Sequence, residues 1–169
     1  MVNGKAAKAK ENDERASDKL DLGELPLLSG YMLRRAQFAA FNDFLRYFED
    51  LGVRPVQYAV LTVIDRNPGL KQSQVSEALG IKRANLVAIL DALERRGLAR
   101  REAVATDRRS YALRLTDKGT ALMKDLRARS QEHEKRLAAT IGEDGRQQLL
   151  KLLHGVIEAV GPGSEGEEN

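Results

Sequence analysis

The hydrophobic pattern in the middle of the chain predicts two short helices joined by a tight turn. The first helix covers about residues 71–79, and its apolar side chains recur at spacings of three and four, as in Val75, Ala78 and Leu79. Gly80 follows it, and glycine takes the left-handed backbone that ends a helix more easily than any other residue. A second helix can therefore start directly after the turn.

The second predicted helix covers about residues 83–96 and has two contrasting faces. One face bears short side chains, with Arg83 and Asn85 near its start. A surface of this kind can approach base edges in the major groove of DNA. The pattern predicts a DNA-binding helix-turn-helix, with an ordinary helical hairpin as the alternative. The opposite face is apolar at i, i+3, i+4 and i+7 and is expected to be buried, at Leu86, Ile89, Leu90 and Leu93.

Beyond the second helix the periodicity changes from helical to alternating, which is typical of strands. Tyr111, Leu113 and Leu115 alternate with smaller or polar residues, and a less regular strand covers about residues 99–104. Between the strands, residues 106–109 form a polar tip with paired arginines. The order helix, turn, helix and basic hairpin is that of a winged helix.

Further helices are predicted on both sides of this segment. Ser29 can cap a long helix that ends near Asp50, and Pro55 suits the first turn of the next helix. Thr116 can cap a long helix to about residue 140, whose polar second half is typical of a helix that bridges lobes through solvent. The helix that starts at Pro55 is expected to bury Val56, Ala59, Val60, Val63 and Ile64.

The last predicted helix, residues 143–160, follows a break at Gly142. It carries too much apolar surface for an exposed terminal helix. We therefore expect it to form a subunit interface together with the first and the long fifth helix. The candidate interface residues are Leu149, Leu153, Val156 and Ile157.

Three short elements occur along the chain in a fixed order: Leu93-Glu94-x-x-Gly97-Leu98, Asp107-Arg108-Arg109 and Leu115-Thr116-x-x-Gly119. Together with the run from Arg83 to Val87, their order and spacing resemble the MarR family of bacterial transcription regulators. The resemblance covers about residues 29–160. It implies a homodimeric winged-helix protein that binds double-stranded DNA and is often released from its operator by a small ligand.

The resemblance makes the second helix of the motif the one that contacts bases. Arginine pairs well with guanine, asparagine with adenine, and an apolar group with the thymine methyl. Arg83, Asn85 and Val87 are the candidates for these contacts. Many family members have Thr and Arg where this chain has Val87 and Ala88. Base recognition therefore depends more on Arg83 and Asn85, and the operator sequence cannot be taken from relatives.

Phosphate contacts, which position a protein without specifying sequence, are expected near the starts of the two helices. The candidates are Lys71, Gln72, Ser73 and Lys82. Lys71 and Lys82 stand where such helices often begin with Ser or Thr, so side-chain N-caps are missing there. Each missing cap is expected to cost about 1 kcal/mol unless another group satisfies the free N–H groups.

The charge distribution supports a polyanionic partner. Residues 82–118 contain ten Lys or Arg and five Asp or Glu, a net +5, whereas the whole chain carries +3. A basic centre in a mildly acidic frame favours DNA at that centre. Arg108 would enter the minor groove or bind phosphate from the wing. By resemblance, Asp107 and Arg109 would pair and shape the wing tip.

The first long helix holds six of the eight aromatic residues, which suggests a ligand pocket. Arg34 and Arg35 lie one turn before Phe38, and Phe41 follows. Rings stack on an aromatic body, and arginine binds carboxylate or phosphate bidentately. These four residues are candidates for binding an aromatic acid or its coenzyme A thioester. The alternative is that the rings fill a core and the arginines pair with acids across the dimer.

The composition argues against other classes of function. Cysteine is absent, and neither His133 nor His154 has a second ligand at metal spacing, so we expect no metal site and no other cofactor. No nucleophile motif or phosphate-binding glycine loop is present, so we expect no enzyme. No apolar run reaches the roughly 18 residues of a membrane span and no signal peptide is evident. We expect a cytoplasmic protein with no membrane contact.

The predicted fold is mainly α with a small β-hairpin wing, in which a winged helix-turn-helix domain is flanked by N- and C-terminal dimerisation helices. The DNA-binding domain covers residues 53–116 and the dimerisation helices cover residues 25–52 and 117–160. Residues 1–24 and 161–169 are rich in charge and poor in apolar periodicity, which predicts disordered tails.

The predicted function is ligand-responsive, sequence-specific binding of a pseudo-palindromic operator as a homodimer, with repression of nearby genes. Two alternatives remain from the sequence. One is a winged-helix module that binds other proteins and not DNA. The other is a DNA-binding regulator with no small-molecule effector.

Overall fold

The computed structural model describes residues 20–104 and 107–160, without the side chains of residues 104–110. The predicted C-terminal tail, residues 161–169, and most of the predicted N-terminal tail, residues 1–19, lie outside the described residues.

The described residues form five helices and one two-stranded antiparallel sheet, which confirms the predicted fold class. Short 3-10 turns precede and follow the first helix, at Leu25–Leu27 and Glu49–Leu51. The fifth helix is broken at Gly142, whose φ of 75° and ψ of 160° are not helical. The elements are α1 (Ser29–Tyr47), α2 (Pro55–Arg66), α3 (Gln72–Ala78), α4 (Arg83–Arg95), β1 (Ala99–Val104), β2 (Asp107–Leu115) and α5 (Asp117–Val160).

The chain divides into two compact units, residues 1–41 and 42–169, and the boundary falls within α1. The described part of the first unit is largely exposed, including Leu20, Leu27 and Phe38. The second unit contains the hydrophobic core.

The core of the second unit is built mainly from helices α2, α4 and α5. Its largest fully buried side chains are Phe48, Leu61, Ile64, Leu86, Leu90, Leu93, Leu98, Leu113, Met123 and Leu126. The buried face of α2 differs from the prediction at two positions. Val56, expected inside, is 37% exposed, while Leu61 is fully buried. The buried side of α2 is therefore turned toward Leu61 and away from Val56, compared with the predicted apolar stripe.

The starts of α2 and α3 share one type of hydrogen bond, and neither has an N-cap side-chain hydrogen bond. The residue before each helix is basic and extended, Arg54 or Lys71. In each case a glutamine at the third helical position accepts a hydrogen bond from the backbone N–H of that residue, Gln57 at 3.1 Å and Gln74 at 2.9 Å. This is half of a capping box. Lys82, before α4, makes no side-chain cap hydrogen bond, as predicted.

The junction between the hairpin and α5 explains two of the sequence elements. Thr116 caps α5, since its Oγ1 accepts a hydrogen bond from the Gly119 N–H at 3.0 Å, and it donates to the Gly97 carbonyl at 2.6 Å. A Cβ at Gly119 would lie only 1.9 Å from the carbonyl oxygen of Leu98. Only glycine therefore fits at position 119. The start of α5 packs directly on the segment that links α4 to β1.

The polar stretch of α5 is mostly exposed, as predicted, but some of its polar residues also bond to the protein. Arg129 donates to the Tyr47 carbonyl at 2.8 Å and pairs with Asp50 at 3.0 Å. His133 is buried, and its Nε2 lies 2.9 Å from the Asp43 carboxylate. The charges therefore attach α5 to the C-terminal end of α1, an arrangement that helical periodicity cannot reveal. No helix in the described ranges is both long and apolar enough for a membrane span.

Candidate nucleic-acid interface

The turn between α3 and α4 is short and internally hydrogen-bonded. Gly80 has a φ of 60°, in the left-handed region that favours glycine. The Ile81 N–H donates to the Ser76 carbonyl at 3.0 Å, and the Ser76 hydroxyl donates to the Ile81 carbonyl. These bonds close the turn and set the position at which α4 begins.

Helix α4 has the two faces that its sequence predicts. Leu86, Leu90 and Leu93 are fully buried. The other face is exposed over the first five residues of the helix except Leu86, which brings Arg83, Asn85 and Val87 to one surface. This surface bears one guanidinium, one amide and small apolar groups, which are the groups that can contact base edges.

The phosphate candidates fall into two places. Ser73, Lys82 and Arg83 line one groove of about 400 Å³ at the helix-turn-helix, which Glu77 also lines. Lys71 and Gln72 do not line it. The backbone of Lys71 instead pairs with Ala112 of β2 as an isolated antiparallel bridge. This bridge, which the sequence analysis missed, adds a short third segment to the edge of the wing.

The wing is an antiparallel hairpin whose register runs from Ala99 opposite Leu115 to Val104 opposite Asp107, with a shift after Ala103. Strand β2 begins at Asp107, earlier than the alternation predicts. The side chains of Asp107, Arg108 and Arg109 lie outside the described part of the chain. Their roles at the wing tip therefore stay predictions.

Two residues of β1 that the sequence analysis did not single out organise the charges near α4 and the wing. The Arg101 guanidinium donates to Asp91 and Glu94, each at 2.7 Å. Glu102 accepts from Arg100 at 2.8 Å and from Arg114 at 2.9 Å. The hydrogen bond from Arg100, reinforced by Arg114, lowers the pKa of the Glu102 carboxyl. Asp91 of α4 is therefore half of an ion pair.

Many of the basic residues that make the centre of the chain positive bind groups of the protein itself. Eight of the ten basic residues between positions 82 and 118 have described side chains, and five of these eight do so: Arg96, Arg100, Arg101, Arg114 and Lys118. The other three, Lys82, Arg83 and Arg95, are exposed. The sequence count of +5 is correct as a sum, but it does not tell which cations face outward. Which cations face outward depends on contacts between different elements of the fold.

The first half of α1 carries a separate groove of about 440 Å³. Arg34, Arg35, Phe38 and Phe41 line it together with Gln37, so all four predicted ligand residues come together. Phe38 and Phe41 are exposed, and neither arginine pairs with a carboxylate of the described residues.

The second half of α1 uses its aromatic residues differently. Phe44 and Phe48 stack with ring centroids 3.8 Å apart, and Tyr47, Tyr58 and His133 surround them. These rings belong to the core. The alternative of core rings is therefore correct for this half of the helix, and the exposed groove lies in the other half.

The last limb of α5 has a mostly exposed apolar face in the single chain. Leu149, Val156 and Ile157 are exposed, and Leu153 is half-buried. His154 is exposed on the same limb. The described residues contain no cluster of three or more side chains that could hold a metal ion.

Comparison with known proteins identifies the family. The MarR family model matches residues 51–110. A curated "putative transcriptional regulatory protein for hcr operon" from Thauera aromatica is 35% identical over 125 residues, covering 73% of this chain and 75% of the relative.

Solved structures agree in both sequence and shape. The transcriptional repressor CouR bound to a 23-mer DNA duplex is 44% identical, with a TM-score of 0.79 over 82% of this chain and 99% of CouR. CouR bound to p-coumaroyl-CoA is 40% identical, with a TM-score of 0.79 over 84% of this chain and 100% of CouR. With its helix-turn-helix, hairpin wing and flanking helices, the chain belongs to the MarR family of winged-helix, DNA-binding transcription regulators.

Proposed function

We propose that this protein is a homodimeric repressor that reads a pseudo-palindromic operator and leaves it when an aromatic effector binds. The observation that carries the DNA-binding part is the exposed first half of α4, which presents Arg83, Asn85 and Val87 on one surface. Such a helix enters the major groove with its N-terminal residues on base edges. Similarity to CouR, solved on a DNA duplex, supports this role.

The contacts divide into base recognition and positioning. Arg83 and Asn85 would donate to or pair with base edges, and Val87 would contact a thymine methyl. Around them, phosphate would be bound by Lys71, Gln72, Ser73 and Lys82, and from the wing by Arg108. Asp107 and Arg109 would shape the wing tip.

The proposed effector is an aromatic acid or its coenzyme A thioester, bound in the α1 groove. The rings of Phe38 and Phe41 can stack on an aromatic body, and Arg34 and Arg35 can bind carboxylate or phosphate oxygens. CouR, 40% identical, has been solved with p-coumaroyl-CoA. The groove is lined by one helix only, so further contacts to a bound effector would come from outside α1.

The dimer is proposed to form through the apolar face of the last limb of α5. Leu149, Leu153, Val156 and Ile157 lie within three turns of one another and are incompletely buried in the single chain. An exposed apolar face of this kind marks an interaction site, and two-fold pairing with the same helix of a second chain would bury it. We further propose that the protein acts on cytoplasmic DNA and has no enzymatic activity of its own.

The DNA-binding proposal is tested by selecting duplexes from a randomised pool with the purified protein and measuring affinity by fluorescence anisotropy. We expect a two-fold symmetric site with half-site centres about 10 base pairs apart. Affinity should fall steeply with salt because phosphate contacts release counterions. If the selection enriches no sequence and the protein does not bind DNA at low salt, the result would favour a winged-helix module that binds other proteins.

The effector proposal is tested by titrating p-coumaroyl-CoA and p-coumaric acid into the protein–DNA complex. Release of DNA should accompany a raised melting temperature of the free protein, because a ligand that binds the free form stabilises it and weakens DNA binding. Arg34→Ala and Arg35→Ala should reduce both effects, and Arg66→Ala, an exposed arginine on α2, is the matched control. Tight DNA binding that neither compound affects would indicate another effector class or a regulator without effector.

A further inference from the structure

The side chain of Arg101 crosses from β1 to α4 and contacts two turns of that helix. Its guanidinium donates to Asp91 Oδ1 and Glu94 Oε2, each at 2.7 Å, and to the Val87 carbonyl at 3.4 Å. Its backbone N–H donates to the other Glu94 oxygen at 2.8 Å. Because Val87, Asp91 and Glu94 stand at i, i+4 and i+7, these contacts follow one stripe along the helix.

Stability alone does not account for this bridge. The Arg101 side chain is only 19% exposed, and its Nε is buried with no hydrogen-bond partner among the described residues. Its partners Asp91 and Glu94 are 44% and 31% exposed, so solvent weakens the ion pairs, and the orphaned donor works against them. The best-attested advantage of such a pair is that it fixes one register among several similar ones.

The opposite side of α4 is held by packing alone. Leu86, Leu90 and Leu93 are buried there through apolar contacts, which are not directional. Directional hydrogen bonds define the orientation of a helix more sharply than such packing does. The guanidinium fork of Arg101 has fixed geometry and is held at three points, so it opposes both rolling and sliding.

We propose that Arg101 is a positioning residue for DNA recognition, which sets the angle at which α4 presents Arg83 and Asn85 to base edges. This inference rests on the proposed DNA-binding function. In this role Arg101 itself contacts no DNA, because its guanidinium is largely buried against α4. It makes the wing strand and the recognition helix move as one body.

The test compares Arg101→Met with Arg100→Met, which removes the same charge from the neighbouring, more exposed residue of β1. Affinity is measured on the duplex selected by the unmodified protein and on a scrambled duplex of the same composition, over a range of salt concentrations. We expect Arg101→Met to weaken binding to the selected duplex about tenfold or more, the size of one lost base contact, while the scrambled duplex changes little. Arg100→Met should leave the ratio of the two affinities unchanged.

Two results would overturn the proposal. One is an equal loss on both duplexes with a salt slope reduced by about one, which would place Arg101 on a phosphate. The other is an unchanged ratio of the two affinities. If Arg101→Met does not fold, Arg101→Lys decides, because lysine keeps the charge and cannot hold three acceptors in a planar fork. It should lower the ratio, and a folded Arg101→Lys with an unchanged ratio would also overturn the proposal.

A double-mutant cycle tests whether Arg101 acts through its contact with α4. Asp91→Ala should lower the affinity ratio in the unmodified protein and have little further effect in Arg101→Met, since the two residues act through one contact. Additive effects would show that Arg101 does not act through α4. Failure of the DNA-binding proposal itself is distinct, since the selection step would then enrich no duplex at all.

Discussion

The two ends of the recognition helix α4 are built differently. At its N-terminal end, Lys82 gives no side-chain cap, and Arg83 and Asn85 are exposed. At its C-terminal end, Arg101 binds the helix from β1, and Arg96 donates to the Gly52 carbonyl at 2.7 Å and to the Leu51 carbonyl at 3.2 Å. One end is left open to a partner, and the other is tied to two other parts of the chain, β1 and the segment of Leu51 and Gly52.

This difference separates two tasks that one helix must perform. A helix that contacts bases needs unpaired donors at its leading end, where its partial positive charge also favours phosphate. It also needs a fixed orientation, or those donors would miss their targets. Placing the ion pairs with Asp91 and Glu94 and the contacts of Arg96 at the trailing end meets both needs. Substitutions at the two ends should therefore affect different measurements.

The largest effect is expected at Gly119, where the start of α5 packs on the segment that follows the tied end of α4. Gly119→Ala places a methyl group 1.9 Å from the Leu98 carbonyl oxygen, so backbone must move. We expect a loss of about 3 kcal/mol or more in the free energy of unfolding, at the upper end for overpacking. Denaturant unfolding measures this. Gly30→Ala, at a helical glycine with open space around it, is the control and should not destabilise the protein. Equal stability of both variants would contradict the tight packing described here.

Arg83→Ala tests the open end. We expect a loss of about 1–3 kcal/mol in binding free energy on the selected duplex, with relaxed preference at one base pair per half-site. The melting temperature of the free protein should stay the same, because Arg83 makes no described contact that stabilises the fold. Anisotropy on duplexes with single base changes measures the preference. Equal losses on selected and scrambled duplexes would make Arg83 a phosphate contact only.

Arg96→Met should have a smaller effect, and it should affect the stability of the fold more than DNA binding. It removes two hydrogen bonds to backbone carbonyls at a partly exposed site, so we expect the protein to lose about 1 kcal/mol of stability. The ratio of affinities for selected and scrambled DNA should change less than in Arg101→Met. Arg95→Met, one residue earlier and exposed, is the control. A melting temperature that equals that of the control would show that these bonds do not hold the helix.

The smallest effect is a pH dependence at Glu102. Its pKa is lowered, chiefly by the hydrogen bond from Arg100, so the ionised carboxylate stabilises the fold above the pKa of the unfolded chain. This contribution is lost as pH falls through the lower, folded-state pKa. Glu102→Gln should therefore lower the stability slightly at neutral pH, and its difference from the unmodified protein should vanish as the pH falls through those values. Melting temperatures of both proteins from pH 3 to 7 measure this dependence, because the range extends from about one unit below the ordinary carboxyl pKa up to neutral pH.

The open end of α4 could be predicted from sequence, and the tied end could not. Helical spacing places Leu86 and Leu90 inside and leaves Arg83 outside, because local periodicity determines which face is buried. The contacts of Arg101 and Arg96 join residues that are distant in sequence or lie on different elements. No local pattern shows which of several nearby arginines turns toward the protein.

The same limit explains the other differences. The polar stretch of α5 has the composition of a solvated helix, but Arg129 and His133 find partners on α1, 82 and 90 residues earlier. The bridge between Lys71 and Ala112 depends on how the wing folds back on the loop before α3. By contrast, the Thr116 cap is a short-range contact and was predicted correctly.

The division of the aromatic residues along α1 has a consequence for how such a protein can change. Phe44 and Phe48 belong to the core of the unit that contains α4, whereas Phe38 and Phe41 lie in the other compact unit and are exposed. Substitutions that reshape the groove at Phe38 and Phe41 remove no core side chain. Under the proposed function, the effector preference can therefore drift, or be redesigned for a biosensor, while the operator preference is inherited intact.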